Sequence, residues 1–108
     1  MTVEPLLETG AVTRWLLPQG FMLATTLEVE EATIGGLACA VGMTTASHVH
    51  GLLQETVVEF EIVLGDGTHI RARRDNEYWQ LRHNYFNYII LHHFSLIPVC
   101  IRHHMRFV

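Results

Sequence analysis

Between Thr33 and Gly51 the residue types are those that let a backbone come close to a ligand. The run Thr33-Ile34-Gly35-Gly36-Leu37-Ala38-Cys39-Ala40-Val41-Gly42-Met43-Thr44-Thr45 holds three glycines within eight positions, and Ser47, His48 and Gly51 follow it. Glycine lacks a Cβ and tolerates positive φ, so such a run can lie against a flat, phosphate-bearing cofactor. It matches neither the dinucleotide fingerprint G-x-G-x-x-G nor the P-loop, whose lysine is missing because the chain contains none. On composition alone two readings stay open, cofactor approach and tight helix packing.

Other chemistry is less well supported by the spacing. A nucleophile could be assembled from Cys39 or Ser47 with His48, but sequence neighbours seldom meet in the required geometry and no third, orienting group is evident. A hydrolase is therefore the weaker enzyme hypothesis, and no catalytic residue is assigned. The histidines occur as His48-x-His50, His92-His93 and His103-His104. Adjacent histidines point to different faces and no tetrahedral ligand spacing is present, so no metal site is expected. Cys39 and Cys100 are far apart in apolar contexts and read as buried free thiols, which fits a reducing compartment.

The elements that must position the glycine run can be read in order. With 108 residues and 49% hydrophobic content the chain suits one domain with a real core, and a net charge of −4 argues against a nucleic-acid surface. Thr2 to Pro5 reads as extended. Thr9 is the expected N-cap of a helix whose Val12, Trp15 and Leu16 share one face, stopped at Pro18-Gln19-Gly20. Phe21 to Thr26 is extended and apolar, and Glu28, Glu30 and Glu31 form an acidic edge. From Thr33 the small residues suggest a turn into a short helix or a close-packed loop, with Thr33 as the capping residue, and Thr44 to Gly51 reads as a loop. Val58, Phe60, Ile62 and Leu64 alternate with Glu59 and Glu61, and Gly65-Asp66-Gly67 leads into Thr68 to Arg73. That pattern predicts a β-hairpin. Antiparallel strands with short helices make the fold class α+β.

A break follows Glu77. Residues 1–77 hold all eleven carboxylates, whereas 78–108 hold none but carry five of the eight histidines and most of the aromatics. The apolar run Tyr85 to Ile101 is interrupted by Asn87, His92-His93 and Pro98, which disfavours a membrane-spanning helix. The N-terminus, with Glu4 and Glu8 and no basic region, does not read as a secretory signal.

Taken together, Val3-Glu4-Pro5-Leu6, Leu16-x-x-x-Gly20, Ala32-Thr33-Ile34-Gly35-Gly36-Leu37 with Val41-Gly42-Met43, Ser47-His48-x-x-Gly51-Leu52 and Glu59-x-Glu61-Ile62-Val63-Leu64-Gly65-Asp66-Gly67 resemble the FAD-binding (PCMH-type) domain of the vanillyl-alcohol-oxidase kind. Within it they are most similar to the Δ24-sterol reductases. The likeness covers about residues 2–77. It implies the second lobe of a two-part flavin domain, with Thr33 to Thr45 along the FAD, Gly35, Gly36 and Gly42 at the close contacts, and Ser47, His48 and Gly51 continuing that wall. It implies a parent reaction in which a hydride passes from NADPH through the flavin to a sterol side-chain double bond, in a protein associated with the endoplasmic reticulum membrane. His48 is implied as a structural or FAD-contact residue.

Where relatives run on from the point matching Glu77, this chain departs into Tyr78-Trp79-Gln80-Leu81, so residues 78–108 are expected to be an atypical, unrelated tail. Relatives also carry a first FAD lobe that holds the pyrophosphate, and a substrate cap. The chain is therefore expected to be a fragment, inactive alone. A second reading stays open: a small non-enzymatic α+β interaction domain whose aromatic tail seeks a partner or a membrane surface.

Overall fold

The computed structural model describes residues 1–40, 42–83, 89–96 and 98–100, with side chains described as far as residue 81 apart from Val41. The expectations placed on Tyr85–Tyr88 and Ile101, and the pair His103-His104, lie outside the described residues. Among the described residues two antiparallel sheets and four short helices form an α+β fold. The larger sheet has the order β1 (Thr2–Val3), β5 (Ile89–Leu96), β3 (Val57–Leu64), β4 (His69–Arg73), and the smaller pairs β2 (Phe21–Leu23) with β6 (Pro98–Cys100). Ile89–Leu96, beyond the stretch that carries the resemblance, thus lies between β1 and β3.

The predicted hairpin forms as β3 and β4, with Ile62 opposite Ile70 and Phe60 opposite Ala72. Its turn needs glycine at one position: Gly67 has φ +86°, its N–H bonds Leu64 O, and Asp66 Oδ1 accepts from Thr68 N. The outer face is a charge ladder in which Arg73 pairs with Glu59 and Arg71 with Glu61. The alternation fails at one residue. A register shift against β5 between Val57 and Glu59 buries Val57 and leaves Val58 47% exposed.

α1 (Thr9–Leu16) buries Val12 and Leu16, while Trp15, expected on the same face, is 58% exposed. Glu8 rather than Thr9 is the N-cap. Thr9 is the first helical residue and is buried, its hydroxyl donating to Val29 O and Glu30 O. A 3-10 turn at Leu17–Gln19 ends on Gly20, in the left-handed region at φ +82°. α1, α2 (Ile34–Cys39) and α4 (Leu53–Thr56) send Leu16, Ile34, Leu37 and Leu53 into one core with Phe60 and Ile62 of β3. Trp79 closes the edge, its ring 6.0 Å from Phe60 and stacked under the Arg74 guanidinium at 5.7 Å. No helix among the described residues is long and apolar enough to cross a membrane.

Candidate functional site

The glycine run folds into α2 and the turn leaving it. Thr33 caps α2 as the sequence predicts, its hydroxyl accepting from Gly36 N at 3.1 Å. The other early donors go to the N-terminal segment: Ile34 N to Leu7 O at 2.9 Å and Gly35 N to Pro5 O at 2.8 Å. Two distant pieces of the sequence pattern, the Val-Glu-Pro-Leu opening and the Gly-Gly pair, are therefore one contact. Because these donors already have partners, α2 has no N–H left to hold a phosphate.

The segment divides by direction. Ile34, Gly35, Leu37, Ala38, Gly42 and Thr44 are buried. Thr33, Ser47 and Gly51 are half-buried. Gly36, Cys39, Ala40, Met43, Thr45 and His48 face outward, and Val41 is outside the described residues. Positions 36, 39 and 40 are related by one helical turn, so Gly36, Cys39 and Ala40 share a face of α2. Cys39, expected to be a buried thiol, is exposed because the periodicity of this short helix turns it away from Ile34 and Ala38. Partial desolvation nonetheless pushes its thiol pKa up, so the sulfur stays protonated and is a poor nucleophile.

The buried glycines face this chain's own atoms. A Cβ on Gly35 would lie 2.7 Å from Pro5 Cβ and 2.9 Å from Pro5 O. One on Gly42, at φ +67°, would overlap the Gln54 amide oxygen, and one on Gly51, at φ +75°, would overlap the Glu55 carboxylate. On Gly36 the only close neighbour among the described residues is the Thr33 hydroxyl at 2.9 Å, and Gly36 itself opens to solvent.

The expected loop at Thr44 to Gly51 contains a helical turn, α3 (Ser47–His50). Local hydroxyl bonds start it: Ser47 Oγ accepts from Thr44 N at 2.8 Å and Thr44 Oγ1 from Ala46 N at 3.2 Å. His48 Nδ1 lies 2.9 Å from Thr45 O, so the ring donates there and turns Nε2 to the outside. Glu55 caps α4 by accepting from Leu52 N at 3.0 Å. Sequence reasoning missed Gln54, which is fully buried and donates from Nε2 to Ala38 O at 3.1 Å and Ala40 O at 3.3 Å. Nothing in Leu52-Leu53-Gln54-Glu55 signals that burial, which arises only when α4 packs on α2.

Glu28, on the acidic edge, is tied to the same region. Hydrogen bonds from its own backbone, from the Thr45 hydroxyl and from the Thr45 backbone hold its carboxyl below the ordinary range. A depressed carboxylate stabilises the fold fully above its unfolded pKa and loses that contribution as pH falls through the folded value. Asp66, held low by Thr68 in the hairpin turn, acts with the same sign. Urea denaturation is expected to show stability declining below about pH 4.3, with Glu28→Gln flattening part of that decline. An unchanged slope in the variant would refute the Thr45 tie.

A separate open groove of about 780 Å³ lies between β1 and α1, lined by Val3, Leu6, Leu7, Val12 and Trp15 among others, and none of its described lining residues belongs to the 33–51 segment.

The family model for the FAD binding domain matches residues 1–73. The chain belongs to that family. Among its relatives are proteins named Delta(24)-sterol reductase. The one from Pisum sativum is 44% identical over 79 residues, covering 73% of this chain and 14% of the relative. The Arabidopsis thaliana protein is 43% identical over 79 residues, with the same two shares. That of Homo sapiens is 39% identical over 70 residues, 65% of this chain and 14% of the relative. The chain thus spans about one seventh of the length of the sterol reductases it matches.

The groups present suit part of an FAD. Residues 33–51 contain no Asp, Glu, Lys or Arg. Their outward face offers apolar surface at Gly36, Cys39, Ala40 and Met43, and a polar rim at Ser47 and His48. Such a surface suits the ring system and ribityl chain; to a pyrophosphate it offers no Lys or Arg, and the first N–H groups of α2 are already taken.

Proposed function

We propose that this chain forms one wall of the FAD site of an oxidoreductase similar to the Δ24-sterol reductases, and that the wall is the outward strip Gly36, Cys39, Ala40 and Met43 with Thr45, Ser47 and His48 beside it. The observation that carries this reading is the division of the 33–51 segment into a buried, glycine-packed back and an uncharged, small-residue front. Thr33, Ile34, Gly35, Leu37, Ala38, Gly42, Thr44 and Gly51 then support the wall from behind. In this reading residues 1–77 are a partial PCMH-type domain and 78–108 a segment of separate origin. Bound FAD would supply hydride acceptance and donation, with NADPH as donor and a sterol side-chain double bond as acceptor in the larger, membrane-associated protein. The protein's part is to exclude water and orient the ring system.

Fluorescence titration of the 108-residue chain tests the reading. Riboflavin and FAD should bind with affinities within about a factor of three of each other, since a threefold ratio is less than 1 kcal/mol, and AMP should not compete. Competition by AMP as effective as that by riboflavin would assign the wall to the adenosine end and overturn the proposal.

A further inference from the structure

We propose that Gln54 is a positioning residue for the flavin-facing strip, an inference that rests on the FAD reading above. Its side chain is fully buried behind the turn that leaves α2. Nε2 donates to the carbonyls of Ala38 and Ala40, two groups that a helix C-terminus ordinarily leaves to water. Oε1 packs on the Cα side of Gly42 and has no hydrogen-bond partner among the described residues. The neighbouring Leu53 N donates to Gly42 O at 2.9 Å. One buried amide and its adjacent peptide thus hold Ala38, Ala40 and Gly42 from behind, while Cys39, Ala40 and Met43 present themselves in front.

The orientation of the amide is fixed by its partners. Turned over, its oxygen would face two carbonyl oxygens and its NH₂ would lie against Gly42. A leucine would fill the space and remove the unpartnered Oε1, but it would leave the Ala38 and Ala40 carbonyls without this donor, so packing alone does not call for glutamine here. The amide adds a hold on the backbone path between α2 and Met43. Ala40, at φ −82° and ψ −160°, leaves the helix abruptly, and its carbonyl is one of the two that Gln54 grips.

The test compares wild type, Gln54→Leu and Gln54→Met in the 108-residue chain, with riboflavin as ligand. Both variants remove the donor, and methionine keeps the length. Backbone amide spectra establish that each is folded, fluorescence titration gives affinity, and circular dichroism in the visible band of riboflavin at saturation reports how the ring sits. Affinity is expected to fall about tenfold, the equivalent of about one charge-free hydrogen bond's positioning, with an altered visible band. Wild-type affinity and band shape in either folded variant would overturn the proposal, as would failure of both variants to fold, which would make Gln54 a stability residue. Absence of saturable riboflavin binding in the wild type would instead remove the FAD reading, and this inference with it.

Discussion

Gly35→Val is expected to destabilise the chain by about 3–5 kcal/mol, a large part of the stability of a domain this size. The added Cβ would meet both the Cβ and the backbone of Pro5, at 2.7 and 2.9 Å, and backbone cannot rotate out of the way. To relieve the contact the N-terminal segment must lift from α2, which breaks Gly35 N to Pro5 O and strains Ile34 N to Leu7 O. Urea denaturation checks the magnitude. Gly36→Val gives the contrast: its Cβ meets only the Thr33 hydroxyl, so it should cost about 1 kcal/mol and act instead on flavin binding. Equal stability losses at the two positions would show that the front and back of this wall have been wrongly divided.

Gly42→Ala is the second large effect, expected at about 2–4 kcal/mol. Part is conformational, because φ +67° costs a residue with a Cβ about 1–2 kcal/mol. The rest is steric, since the new methyl would occupy the place of the Gln54 amide oxygen and lie 3.2 Å from Leu53 N. Combining it with Gln54→Ala should recover the steric share and leave the conformational one, so the double variant is expected to be less destabilised than the sum of the singles. Strict additivity would mean that Gly42 and Gln54 do not share a contact.

These two sites show where the sequence was legible. Signals carried by neighbours along the chain came through: the Thr33 cap, the β3–β4 alternation with its Gly67 turn, and the stop of α1 around Pro18 and Gly20. Features that depend on distant partners did not. The glycine count marked the segment but could not say which glycines face the protein, because that depends on Pro5 lying over Gly35 and Gln54 behind Gly42. Gln54 reads as a polar residue on a short helix, and only the packing of α4 on α2 makes it buried. Val58 was misplaced because a shift in pairing with β5 interrupts a period-2 pattern that assumes an unbroken ladder. Ser47–His50 reads as loop because its helical turn is started by hydroxyl bonds rather than by apolar periodicity.

The central claim is that the front of α2 and the turn after it face FAD. It is tested most directly by adding FAD to the isotope-labelled 108-residue chain and following each backbone amide by NMR. Shifts concentrated at Gly36, Cys39, Ala40, Met43, Thr45 and His48, with Gly35 and Leu37 little moved, are the predicted result. Shifts confined to Leu6, Leu7 and Trp15 of the β1–α1 groove, or none at saturating FAD, would contradict it.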